Sequence, residues 1–180
     1  MSEFAELVLS AKNGGPGKGE HALDVLRDPG ADRMELVGLM DVLFAYLNRE
    51  WMTSPAVWGV SDCCISVLDW VSFRRGGDWA AELRYSYDDF GSAQRAWGFF
   101  IQPRAACYRF LAGLNEVPSP ARGDVACFKW AGHQGRILPT MGICICVAPG
   151  VFACRGAPEH HDLIIEARPA QLVGAWAVEV

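Results

Sequence analysis

The chain changes character near its middle, and this change constrains the fold more than any other feature. Before Pro118, apolar residues recur at three- and four-residue steps, the period of a helix with one buried face, as in Leu36, Leu39, Met40, Leu43, Phe44 and Leu47. After Pro120 the chain consists of short β-rich runs, most of them separated by turns that carry glycine or proline. Helices followed by consecutive strands predict an α+β domain with a largely antiparallel sheet, because parallel strands would need helices between them.

The same patterns give approximate bounds for the elements. Helices are predicted over 34–51, from Ser61 or Asp62 to about Arg74, and in shorter pieces over 89–99 and 104–114. Strands are predicted over 124–130, 141–147, 151–154, 163–166 and 175–180. Residues 1–33 differ in composition and carry a glycine cluster over 13–19, so we expect an N-terminal extension with a flexible linker, followed by a folded domain over 34–180.

Length and charge exclude several classes of protein. A chain of 180 residues corresponds to about one domain, and its 51% hydrophobic content is enough to build a core. The net charge of -5 does not favour binding to a phosphate backbone, so nucleic acid is not expected as a partner. The sequence has no apolar run of membrane-spanning length, and its first residues lack the order of a signal peptide, so we expect a soluble protein made in the cytoplasm.

Cys63 is the first candidate for chemistry. The segment from Trp58 to Cys64 predicts a glycine-containing entry into a helix, with Cys63 in the first turn. Unpaired amides and the positive end of the helix dipole favour a thiolate at that place, and a nearby histidine would complete a nucleophile and base pair. Asp62 opposes this electrostatically unless its charge is used to cap the helix. The alternative is a buried structural thiol, the common state of a free cysteine.

The segment Trp58-Gly59-Val60-Ser61-Asp62-Cys63 resembles the nucleophile motif of NlpC-type cell-wall peptidases, which are papain-like cysteine hydrolases. Over about residues 40–180 the chain is similar to a little-studied branch of that superfamily, found mostly among the tail genes of tailed phages, prophages and gene transfer agents. The segments that carry this likeness are Asp69-Trp70-Val71, Gly77-Asp78, Arg84-Tyr85, Arg122-Gly123-Asp124-Val125, Met141-Gly142-Ile143-Cys144, Leu163-Ile164-Ile165 and Ala175-Trp176.

The resemblance implies a papain-like fold, with a cysteine-bearing helix on an antiparallel sheet, and a place in the tail tip of a virion. Its implied partners are tail-hub proteins and peptidoglycan, and no cofactor is implied. Two functions follow as hypotheses. The first is a peptidoglycan hydrolase or the degenerate descendant of one. The second is a non-catalytic structural or binding component of the tail hub.

Transferring the family's catalytic residues one at a time exposes a difficulty. Cys63 falls on the nucleophile position, but Thr140 stands where the family has its general-base histidine, and a hydroxyl cannot perform that proton transfer. The third, orienting position falls on Glu166. We therefore name His133, in the loop before the strand, as a substitute base, with His160 and His161 in a later loop as further histidines. The alternative for all three histidines is a solvated loop.

The seven cysteines raise the question of a metal site. An odd count leaves at least one free thiol, and the Cys-x-x-Cys spacing of zinc sites is absent. In a strand, Cys144 and Cys146 share one face with a spacing suited to core packing. We expect no metal; the alternative is a four-thiolate site made by these two residues with Cys127 and Cys154.

Overall fold

The computed structural model describes residues 42–99, 101–131, 137–155, 163–166 and 171–178, and at 130–131, 137–141, 148, 163–166 and 171 it describes the backbone alone. The predicted extension over 1–33 and all four histidines lie outside the described residues. The chain divides into two compact units, Met1–Phe44 and Ala45–Val180. In the first unit, residues 42–44 are helical. Phe44 is 53% exposed there, so its predicted place on a buried helix face is wrong.

Helical structure occupies the first half of the second unit. Residues 45–46 are α-helical and run into a π-helical segment, Leu47–Trp51. Three α-helices follow: α1 Cys63–Arg75, α2 Phe90–Trp97 and α3 Pro103–Phe110. The predicted cap of α1 is confirmed, because Asp62 precedes the helix and accepts hydrogen bonds from its first amides. Gly76, with φ +78°, ends the helix as the sequence predicts.

One antiparallel sheet forms the second half. Its strands are β1 Asn115–Glu116, β2 Val125–Ala131, β3 Ile137–Ala148, β4 Val151–Arg155, β5 Leu163–Glu166 and β6 Gln171–Ala177. They lie in the order β1-β6-β2-β3-β4-β5, and every neighbouring pair is antiparallel. The α+β class and the antiparallel sheet are therefore confirmed. The predicted 175–180 strand is displaced, since β6 begins at Gln171, and the short strand β1 was not predicted.

Helix α1 packs on the sheet, chiefly against β3. Its apolar side chains Val67, Leu68 and Val71 are fully buried, as the helical period predicts. The indole N–H of Trp70 donates to the carbonyl oxygen of Gly123 at 2.7 Å and so ties α1 to the turn before β2. This packing holds the first turn of α1 over the sheet core. No helix in the described part of the chain is both long and apolar enough to cross a membrane.

Candidate active site

Asp62 organises the entry into α1. Its Oδ1 accepts hydrogen bonds from the amides of Cys64 at 2.9 Å and Ile65 at 3.1 Å, while Oδ2 accepts the amide of Gly59 at 2.8 Å. The Tyr87 phenol lies beside the same carboxylate, and this proximity contributes to the raised pKa of Tyr87. The side chain is 2% exposed, so its charge is held by surrounding donors rather than by water. The expectation that Asp62 uses its charge as a cap is confirmed.

The turn before Asp62 depends on a glycine. Gly59 has φ +69°, a conformation that costs other residues strain. A Cβ atom at this position would lie 2.0 Å from the carbonyl oxygen of Tyr87, which is a severe clash with backbone. The Gly59 carbonyl in turn accepts the Tyr85 amide at 2.8 Å. The glycine of the motif thus permits the close approach that places Tyr87 beside Asp62.

Cys63 occupies the first position of α1 and is partly buried. It packs against a core cluster drawn from four strands, which consists of Ala126, Phe128, Cys144, Cys146, Phe152, Cys154 and Ala175. Because Asp62 takes the amides of Cys64 and Ile65, those two groups are not available to stabilise a developing oxyanion. Cys63 thus lies between the sheet core and the surface, a placement from which a thiol could reach a bound molecule.

The thiol of Cys64 has a different character from that of a reactive cysteine. Its hydrogen bond to the Cys63 sulfur, followed by burial, raises the pKa of Cys64 well above its ordinary value. Cys64 therefore keeps its proton at neutral pH. Burial, with the nearby Cys64 thiol and the Asp62 carboxylate, likewise raises the pKa of Tyr87, which remains a neutral phenol.

A pocket opens beside the two cysteines. Its empty space, part of it open to solvent, is about 330 Å³. Nine residues line it: Trp58, Cys63, Cys64, Leu83, Tyr87, Ala93, Trp97, Phe99 and Phe110. All but the two cysteines contribute aromatic or aliphatic side chains. The sequence signal for this pocket is the dense set of aromatic residues in the middle of the chain, which predicts that some of them cover the Cys63 groove or form a protein interface. Tyr87, Trp97, Phe99 and Phe110 are the members of that set that line the pocket.

For Thr140 and Glu166 the structure describes the backbone alone, and it does not describe His133. Thr140 lies on β3, the strand on which α1 packs, and Glu166 lies on β5 opposite Phe152 of β4. In the order β3-β4-β5, one strand lies between the strand of Thr140 and the strand of Glu166. His133 lies outside the described residues. The catalytic roles of Cys63, Thr140, Glu166 and His133 all stay predictions.

The four-thiolate alternative does not form. Within the described ranges, the sole group of three or more His, Cys, Asp or Glu ligand atoms gathered within 4.8 Å comprises Asp62, Cys63 and Cys64. The carboxylate in that group already accepts hydrogen bonds from three backbone amides. Cys144 and Cys146 instead share the buried core cluster, as their strand spacing predicts.

The described part of the second unit is thus an α+β domain in which a helix carries a cysteine at its start and packs on an antiparallel sheet. Residues 36–178 match a family described as a domain of unknown function, DUF6950. Because this match covers most of the chain, the protein belongs to that family. No curated protein and no solved structure gives a significant match.

Proposed function

We propose that this protein is an NlpC-type cysteine hydrolase with a papain-like fold, carried in the tail tip of a phage or gene transfer agent and directed at peptidoglycan. The observation that carries the proposal is the position of Cys63. It lies in the first turn of α1, its side chain packs on the sheet core, and it borders an open pocket of about 330 Å³. The tail-tip location and the peptidoglycan substrate come from the sequence resemblance.

The arrangement of elements supports the same proposal. In the pattern that the sequence resembles, the helix with the nucleophile faces the strand with the base. Here α1 packs chiefly on β3, the strand that contains Thr140. Cys63 also contacts the core cluster to which Cys144 and Cys146 of β3 contribute. The position at which the resemblance implies a histidine is therefore on the strand against which α1 chiefly packs.

The proposed reaction is amide hydrolysis through a thioester. The Cys63 thiolate attacks the carbonyl carbon, the carbon–nitrogen bond breaks, and the amine leaves with a proton supplied by the base. Water then cleaves the thioester, which gives the carboxylic acid and restores the thiol. Thr140 cannot move these protons, so His133 is the first candidate for the base.

The direct test is release of soluble fragments from purified peptidoglycan by the full chain. We expect wild type to release them and Cys63→Ala to release none. Cys146→Ala is the matched control, because Cys146 is fully buried in the core cluster and does not line the pocket. Activity that survives in Cys63→Ala would rule out the thiol mechanism, and no activity in wild type would contradict the hydrolase.

The choice of base is tested by single histidine variants. His133→Ala should remove hydrolysis, whereas His160→Ala and His161→Ala should retain it. The readout is again the amount of peptidoglycan fragment released, with each variant checked for folding by circular dichroism. Equal activity of all three variants would exclude His133 as the base.

The second candidate function is a non-catalytic component of the tail hub, and Thr140 at the general-base position favours it. In that case particles that carry Cys63→Ala would infect as well as wild type. Deletion of residues 1–33 should then reduce the amount of protein incorporated per particle, if this segment is the tether. Normal incorporation after the deletion would exclude the tether.

A further inference from the structure

The pocket beside Cys63 has a composition that selects its occupant. We infer that it binds an uncharged, apolar side chain or acyl group of the substrate, next to the bond that Cys63 attacks; this rests on the proposed function. Its empty space of about 330 Å³ includes open solvent, so it offers room for one small group at the surface rather than for a whole molecule. No basic or acidic side chain is among the lining residues that the structure describes.

Two polar atoms of the aromatic walls lie against other protein groups. The indole N–H of Trp97 donates to the Ser86 hydroxyl at 2.8 Å, and the Tyr87 phenol lies beside the Asp62 carboxylate, which contributes to raising its pKa. Trp97 also meets Phe110 edge-to-face, with ring centroids 5.1 Å apart. These rings therefore present mainly carbon to the pocket, and they favour an apolar occupant through burial and ring contacts.

The charges nearest the pocket are also engaged. The Arg109 guanidinium lies 4.5 Å from the Trp97 ring centroid and forms an ion pair with Glu82 at 3.0 Å. Asp62 stands behind the two cysteines, with its oxygens accepting the amides of Gly59, Cys64 and Ile65. An anionic group in the pocket would lose its water, find no basic partner in the lining and be repelled by Asp62. The pocket thus disfavours a carboxylate beside the scissile bond.

The test compares three chloroacetamides that alkylate cysteine and differ only in the attached group: benzyl, carboxymethyl and trimethylammonioethyl. The rate constant for modification of Cys63 in the folded protein is followed by mass spectrometry. Each rate is divided by the rate of the same reagent with the urea-unfolded protein, which removes intrinsic reactivity. We expect the normalised benzyl rate to exceed the carboxymethyl rate by about tenfold, the effect of burying part of one ring.

Two variants localise the effect. Trp97→Ala removes one wall and should reduce the benzyl preference several-fold. Trp79→Ala is the matched control, since Trp79 is partly exposed and does not line the pocket, and it should keep the preference. If either variant fails to fold, the comparison of the three reagents on the wild-type protein still tests the apolar specificity.

Each other result overturns a defined part of the account. Equal normalised rates, or a faster carboxymethyl reagent, would overturn the apolar specificity and leave a reactive Cys63 in place. If the trimethylammonioethyl reagent has the highest normalised rate, the aromatic walls bind a cation instead. If none of the three reagents modifies Cys63 before unfolding, the proposed function fails and this inference fails with it.

Discussion

Asp62 shows how much structure a single side chain can carry at the candidate site. It caps α1, accepts a hydrogen bond from the amide of Gly59 and lies beside the Tyr87 phenol, all with a carboxylate that is 2% exposed. Each of these contacts fixes a neighbour of Cys63. The residue that precedes the candidate nucleophile is therefore a positioning residue for the loop, the helix and the pocket wall.

Substitution of Asp62 should be costly. Asp62→Ala removes the cap and leaves buried donors without an acceptor, so we expect the free energy of unfolding to fall by about 2–4 kcal/mol. Urea denaturation measures the loss. Asp89→Ala is the matched control, because Asp89 caps α2 on an exposed surface, and it should cost less. Equal losses for the two variants would contradict the role given to the buried carboxylate.

At the scale of elements, Arg155 joins three parts of the fold. It lies at the end of β4, is 6% exposed, and donates to the Glu50 carbonyl and the Ser66 hydroxyl, both at 3.2 Å, and to the Ser54 carbonyl. The Ser66 hydroxyl donates to the Ser61 carbonyl at 3.0 Å, just before the Asp62 cap. Burial lowers the pKa of Arg155 from its ordinary value, yet the surrounding oxygens accept hydrogen bonds from the guanidinium.

Arg155→Met should therefore loosen the entry into α1. We expect the free energy of unfolding to fall by about 2 kcal/mol or more, since buried hydrogen bonds from a charged donor are removed. Hydrogen exchange should increase at residues 47–54 and in the first turn of α1. Arg109→Met is the control, because the Arg109 side chain is 59% exposed. Its substitution should lower the free energy of unfolding only slightly. Unchanged exchange near Cys63 in Arg155→Met would disprove the link.

The elements that were predicted well are those whose ends carry local signals. Asp62 and Gly76 bound α1, and β5 was predicted with its observed limits. Strand β3 begins at Ile137 rather than at Met141, although it contains Pro139, which cannot donate to the ladder. Strand β1 has only two residues, both polar, and takes its place from pairing with β6.

The candidate site was predictable only in part, for a related reason. The helix start marked Cys63 and its cap, because those contacts join neighbouring residues. The pocket brings Trp58, Tyr87, Trp97 and Phe110 together from separate segments, and no short-range pattern encodes that meeting. The place of β6 between β1 and β2 is likewise set by pairing between segments that are far apart in the chain.

At the scale of the whole molecule, buried thiols make stability depend on pH. A hydrogen bond with Cys107 and burial raise the pKa of Cys127, and burial with a hydrogen bond to Cys154 raises that of Cys144. The pKa of Cys64 is raised as well. Above about pH 8.5 the unfolded chain releases these protons while the folded chain keeps them. Unfolding is then favoured as the pH rises, and stability is greatest below that value.

We expect the free energy of unfolding to fall by about 1.4 kcal/mol per pH unit for each such thiol above its ordinary pKa. Urea denaturation between pH 7 and 10 measures the slope. Cys144→Ala should reduce this slope by the contribution of one thiol, about 1.4 kcal/mol per pH unit. Val147→Ala, a buried neutral change on the same strand, should lower stability at every pH and leave the slope unchanged. A slope unaffected by Cys144→Ala would contradict the assignment.

The central claim is that Cys63 is a reactive thiol at the edge of a pocket rather than a core residue. The most direct test is iodoacetamide labelling of the folded protein between pH 5 and 9, resolved by mass spectrometry for all seven cysteines. The account predicts that Cys63 is modified first and that the five buried cysteines, Cys107, Cys127, Cys144, Cys146 and Cys154, react only on unfolding. Modification of Cys63 no faster than those five would contradict it.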